Sequence, residues 1–141
     1  MSFWKDKIRP EQLNEIQKNT LSDFLGIVFT EVGDDFLEAT MPVVSKTHQP
    51  MGLLHGGASM VLAETLGSVA SNLCLESGVG VGLEINGNHL KSVRSGIVRG
   101  VCKPVKIGRS IHVWSIKIFN EADELVCLSR LTVAVLNKAG F

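Results

Sequence analysis

The sequence carries no surplus of either charge. Its 141 residues hold 14 Lys and Arg against 14 Asp and Glu, so it lacks the excess of cations that neutralises a nucleic-acid backbone. Nucleic-acid binding is not expected, although a local basic patch fits a neutral chain. Cysteine is scarce as well. Cys74, Cys102 and Cys127 are an odd number, widely spaced, and lie in apolar runs rather than in CxxC or Cys/His clusters; they read as reduced core thiols. No acidic, His or Cys cluster has metal-ligand spacing, and no helix follows Gly82 and Gly87 to make a phosphate loop of them. Neither a metal nor an organic cofactor is expected. No apolar run stands behind the charges of the first seven residues, so a signal or transit peptide is not expected and the cytoplasm is the default location. Only Leu53 to Leu75 nears membrane-spanning length, and it contains His55, Glu64 and several Gly and Ser residues, which are expensive in hydrocarbon. No membrane association is expected.

What is present suffices for one domain over residues 1–141. At 45% hydrophobic and 20% charged, the chain can build a core without disulfides or a structural metal. No repeat or low-complexity segment interrupts it. After Pro10, Glu11 to Lys18 suits a short helix with Leu13 and Ile16 on one side. Leu25 to Val32 and Phe36 to Val43 flank Gly33-Asp34-Asp35 and read as a hairpin. From about Gly57 to Glu76, apolar residues recur at spacings of three and four on most sides, which predicts a buried helix. Four strands follow, at about Val81 to Leu90, Ile97 to Val105, Ser110 to Phe119 and Leu125 to Leu136. Their links are short, so successive strands are expected to be antiparallel neighbours. The result is an α+β fold, an antiparallel sheet wrapped around one long central helix. Its open edges favour pairing with a second copy, so a homodimer is expected.

The chemistry concentrates in Gln49-Pro50-Met51-Gly52-Leu53-Leu54-His55-Gly56-Gly57-Ala58-Ser59, which leads into the helix carrying Ala63-Glu64-Thr65 and Gly67-Ser68. Glycines at a helix start leave backbone N–H groups uncovered at the positive end of the helix dipole, where they can bind an anion. Glu64, two turns further on among Val61, Leu62, Ala63 and Leu66, is expected to be buried, with desolvation making its anion more basic. The alternative is a Glu on the polar strip of Glu64, Thr65, Ser68 and Ser71. Ser68 lies four residues on, hence on the same face.

This segment, with Gly82-Leu83-Glu84-Ile85-Asn86 and Asn88-His89, closely resembles the bacterial hotdog-fold acyl-CoA thioesterases. Specifically, it resembles the small subfamily that includes thioesterases of 1,4-dihydroxy-2-naphthoyl-CoA and proofreading thioesterases of aryl carrier proteins. The likeness runs from Phe24 to Leu136. It implies a hotdog fold and hydrolysis of an acyl-CoA, with an aromatic or medium-length acyl group. The Gly56 N–H would be the oxyanion donor, worth about 3–4 kcal/mol of barrier, and Glu64 the nucleophile or general base. Gln49 and His55 would contact the thioester and Ser68 would orient the carboxylate or a water, while a lone loop His can equally be a cap. Gly82, His89, Leu90, Lys91 and Ser92, with Lys106, Ile107, Gly108, Arg109, Ser110 and Ile111, would bind substrate, chiefly the nucleotide end of CoA; for the cations the alternative is an ordinary charged rim. Within this subfamily one subunit's loop faces the other's helix carboxylate, so the site would need a homodimer or a dimer of dimers.

Three functions fit such a fold. A thioester hydrolase is favoured by His-Gly-Gly before the helix. A dehydratase or hydratase usually pairs its acid with a His in another loop context, and an acyl-CoA-binding module would have no reason to bury Glu64. Fold alone does not separate them. An aromatic acyl-CoA such as 1,4-dihydroxy-2-naphthoyl-CoA is the expected substrate, with naphthoyl-CoA hydrolysis in menaquinone synthesis, carrier-protein proofreading and broad aryl-CoA clearance all left open by the residues. Glu84 reads as an edge or interface hydrogen-bonding group rather than half of a carboxylate pair.

Overall fold

A computed structural model describes residues 3–137; the ends at 1–2 and 138–141, including the uninformative terminus from Lys138, lie outside the described residues. The order is α1 (Pro10–Ile16), α2 (Leu21–Phe24), β1 (Val28–Val32), β2 (Leu37–Pro42), a 3₁₀ turn (Ser45–Thr47), α3 (Gly56–Cys74), β3 (Val79–His89), β4 (Ile97–Ile107), β5 (Ile111–Phe119) and β6 (Leu125–Leu136). All strand pairs are antiparallel in one six-stranded sheet of order β1-β2-β4-β5-β6-β3.

Alternation places the inward residues of the strands on α3. Leu37, Ala39 and Met41 of β2, Trp114, Ile116 and Ile118 of β5, and Leu131 and Val133 of β6 are fully enclosed, and they meet Leu62, Ala63, Leu66 and Ala70 of the helix. Period two in the strands and spacings of three and four in the helix each turn one apolar face to the same core. No helix among the described residues is long and apolar enough to cross a membrane. The cysteines are free, two of them buried. Desolvation raises all three thiols, Cys74 to about 11, so none is poised as a thiolate at neutral pH.

One expected adjacency is wrong. β3 and β4 are not neighbours: β3 pairs with β6, and β4 lies between β2 and β5. The link of residues 90–96 can reach about 24 Å when extended, whereas β3 and β4 are separated by three strand spacings, about 14 Å. It crosses the end of the sheet beneath the start of α3, where buried Val93 accepts from Leu54 N–H at 2.7 Å. Two other expectations change. The sequence reading had no element at α2, and α3 is not enclosed on most sides, because a strip at Glu64, Thr65, Ser68 and Asn72 stays open or half-open.

Beneath the β4–β5 turn lies a polar knot inside the core. Ser71 is fully buried and its Oγ accepts from Trp114 Nε1 at 2.6 Å, with His112 Nδ1 at 3.2 Å. Desolvation lowers the His112 pKa below its ordinary 6.5, partly opposed by a hydrogen bond to the Gly108 backbone. The unfolded chain therefore takes up the proton first, and stability falls as pH drops below about 6.5. Urea unfolding from pH 7 down to about 5 should show a fall that is shallower in His112→Gln; equal slopes would remove His112 as the cause.

Candidate functional site

The loop before α3 is held by its own backbone. Gln49 N–H donates to Leu53 O at 2.8 Å and Gly52 N–H to Gln49 O at 2.9 Å; Gly52 sits at φ +74, where other residues are strained. Buried Thr47 anchors the loop, its hydroxyl donating to Pro42 O at 2.8 Å and its carbonyl accepting from His55 N–H at 2.7 Å. His55 is the N-cap of α3. Its Nδ1 accepts from Gly57 N–H at 2.7 Å, and its carbonyl accepts from Ala58 and Ser59. Three of the first-turn donors are thereby used, and Gly56 N–H has no acceptor among the described residues.

Gly56 lines a cleft of about 340 Å³ together with Gln49, Ser59, His89, Leu90 and Ser92; Lys91 is on its rim. The His89 ring lies against Gly56, since a Cβ there would come within 2.6 Å of Nε2. The cleft thus gathers Gln49, Gly56 and the whole His89–Ser92 run. His55 ends as a cap beside it.

Glu64 lies elsewhere, and it is exposed rather than buried. The neighbours that suggested burial, Leu62, Ala63 and Leu66, turn into the core, while Glu64, Thr65 and Ser68 line the floor of a separate groove of about 520 Å³ between α3 and the α1–α2 arm. The carboxylate rests over bare backbone of β3: a Cβ on Gly82 would be 2.8 Å from Glu64 Oε1. Gly56 and Glu64 are eight helical steps apart, a rise of about 12 Å. One chain therefore does not bring this amide and this carboxylate to a single carbonyl.

The remaining basic segment is also apart. Val79 pairs with Leu136 and His89 with Cys127, whereas Ile111 pairs with Ala134, so the turn of Lys106, Ile107, Gly108, Arg109, Ser110 and Ile111 stands at the Val79 end of the sheet. His89–Ser92 stands at the other end, about 30 Å away along β3. Lys106 and Arg109 are exposed and make no ion pair among the described residues. Lys91 is engaged, 2.9 Å from Glu124, and hydrogen bonds from Asn120 and Lys91 hold the Glu124 carboxyl below its ordinary range. Glu84 is exposed on β3 and accepts from Asn86 Nδ2 at 3.1 Å, a hydrogen-bonding edge group as expected. No group of three or more potential metal ligands occurs among the described residues.

The sequence reading missed the arm side of the groove. Ile16 and Leu21 are large, apolar and exposed by 67% and 59%, and a hydrogen bond between Ser22 and Thr65 hydroxyls at 3.1 Å fastens the arm beside Glu64. The only signal was Ile16 sharing a helix face with Leu13.

Residues 51–127 match the family model described as the thioesterase superfamily. The chain is 58% identical to the 1,4-dihydroxy-2-naphthoyl-CoA hydrolase of Escherichia coli, over 95% of this chain and 99% of that protein. It is 51% identical to the proofreading thioesterase EntH of Cronobacter sakazakii, over 95% and 98%. The crystal structure of a mutant thioesterase PA1618 from Pseudomonas aeruginosa superposes with a TM-score of 0.95 at 49% identity, covering 96% of this chain and 99% of that one. With a helix wrapped by one antiparallel sheet and a likeness that spans nearly its full length, the chain belongs to the thioesterase superfamily as a hotdog-fold thioester hydrolase.

Proposed function

We propose that the substrate is an aromatic acyl-CoA such as 1,4-dihydroxy-2-naphthoyl-CoA, hydrolysed at sites each made by two subunits. The observation that carries the reading is the Gly56 amide, left without an acceptor at the positive end of a 19-residue helix and set in a cleft with Gln49. A thioester oxygen held there by the amide gains most as it becomes an oxyanion, which lowers the barrier rather than merely binding substrate. Glu64 supplies the other half, as nucleophile on the carbonyl carbon or as base toward water. As base, Glu64 takes a proton from the attacking water and passes it to the sulfur, which leaves with the electron pair of the C–S bond as CoA thiol. As nucleophile, it forms a mixed anhydride while the thiolate leaves, and water then hydrolyses that anhydride, giving the free acid, restoring the carboxylate and supplying the proton of the thiol.

The free edge of β3 supports a shared site. It is 11 residues long and paired only on its β6 side, the kind of edge that a second copy covers. A two-fold axis near its midpoint pairs the strand antiparallel with itself. The His89 end of one subunit then meets the Val79 end of the other. Gly56, which touches His89, is carried toward the partner's Glu64, which lies over Gly82; the partner's Lys106–Ile111 turn moves toward Lys91. The identity with a proofreading thioesterase favours a second reading, in which the same chemistry acts on an aryl group carried by a protein-bound pantetheine.

Glu64→Gln keeps the shape and removes the anion, so kcat should fall by at least about a hundredfold with folding unchanged; near-normal turnover in a folded protein would refute the assignment. If Lys106 and Arg109 hold CoA phosphates, changing both to Ala should raise KM for acyl-CoA several-fold with kcat nearly constant. The increase should be smaller for acyl-pantetheine and should shrink in high salt. An equal increase for both substrates would assign these side chains to the fold instead.

A further inference from the structure

The groove beside Glu64 has one wall that lies outside the residues matching the family model. Its floor is the face of α3 with Val61, Glu64 and Val69, and its opposite wall is the α1–α2 arm with Leu13, Ile16 and Leu21. The residues that match the family model begin at Met51, so the arm belongs to the part of this chain beyond that match. It is firmly fixed nonetheless. Leu13 is buried; Asn14 donates to Phe29 O at 3.0 Å and accepts from Phe29 N–H at 2.7 Å; and Ser22 is bonded to Thr65. Ile16 and Leu21, in contrast, are exposed, and large aliphatic side chains held in place on a groove wall without burial of their own have contact area to offer a ligand.

We propose that the α1–α2 arm is the specificity wall of the acyl site, with Ile16 and Leu21 holding a flat bicyclic aromatic acyl group against Val61 and Val69. This rests on the reading of Glu64 as the group that acts on the thioester, because the groove opens at its carboxylate. Branched apolar side chains on two facing helical segments make a slot suited to a planar ring system. Its volume of about 520 Å³ is within the range of small-molecule sites. The slot also has a polar edge. Ser68 lies on the floor, its hydroxyl has no hydrogen-bond partner among the described residues, and it is placed to meet a ring hydroxyl. Thr65 is already bonded to Ser22 and Asn72 to Gly80, so Ser68 is the hydroxyl left for a ligand.

The test compares naphthoyl-CoA with benzoyl-CoA, two rings against one. The doubly substituted Ile16→Ala, Leu21→Ala protein should lose about tenfold or more in the ratio of kcat/KM for naphthoyl-CoA to that for benzoyl-CoA, the scale of removing apolar contacts from a specificity pocket. Leu21→Trp, which fills the slot, should lower naphthoyl-CoA turnover by a similar factor while benzoyl-CoA changes by less than about threefold. Both variants alter exposed positions and should fold normally. Light scattering on each variant reports the oligomeric state. Ratios that stay flat in an active, intact oligomer would overturn the wall. Dissociation caused by the Ala substitutions would overturn it too, identifying the groove as a contact between copies. A wild-type protein inactive on both esters would instead refute the proposed substrate class, and the wall with it.

Discussion

The close approach of α3 to the edge strand β3 governs where the proposed reacting groups, Gly56 and Glu64, lie. That approach is possible because the face β3 turns to the helix carries little but glycine. A Cβ on Gly80 would press on Ser71 and Asn72 at 3.1 to 3.4 Å, one on Gly82 would meet Glu64, and one on Gly87 would come within 2.5 Å of Met60. Asn72 then locks the two elements together, donating to Gly80 O at 3.2 Å and accepting from Gly80 N–H at 2.9 Å. With side chains on this face the helix would stand further off. Glu64 would lose its place over Gly82, and Gly56 its contact with the His89 ring.

The same packing creates the division within the subunit. The helix and β3 run antiparallel, with Gly56 and His89 at one end and the glycine pair Gly80 and Gly82 toward the other. The bare amide and the carboxylate therefore sit at different levels of one rigid framework. In the proposed dimer, joining two frameworks along the β3 edge, head to tail, turns this separation into complementarity. It also gives a physical use to an 11-residue edge that carries no lysine or proline to guard it.

Local features were the most legible in the sequence. The α3 start is within one residue of the expected position and β6 has the expected bounds, because glycine punctuation and apolar period act over a few residues and survive any tertiary arrangement. The His-Gly-Gly entry likewise announced a helix start with open amides, and the structure adds that His55 caps Gly57 and leaves Gly56 without an acceptor. The β3–β4 adjacency was not legible, since link length limits reach but not direction, and residues 90–96 span the sheet end instead. The burial of Glu64 misled for a different reason. Its sequence neighbours face the core, but the side chain turns instead to the open groove beside the arm. The short helix α1 was legible and α2 was not, and the groove wall they form was missed because it depends on their attachment through Asn14 and Ser22.

The central claim is that one active site takes Gly56 from one subunit and Glu64 from the other, and subunit mixing tests it most directly. Glu64→Ala removes the carboxylate. Gly56→Pro removes the amide hydrogen at the first position of α3, where a helix accepts proline, and its ring displaces the His89 side chain that lies against it. Each variant alone should be inactive. After mixing under conditions where labelled subunits are seen to exchange, a mixed dimer holds one site with both groups intact, and activity should reappear at up to about one site per mixed dimer. Continued inactivity despite demonstrated exchange and sound folding would contradict the account and place each site within a single chain.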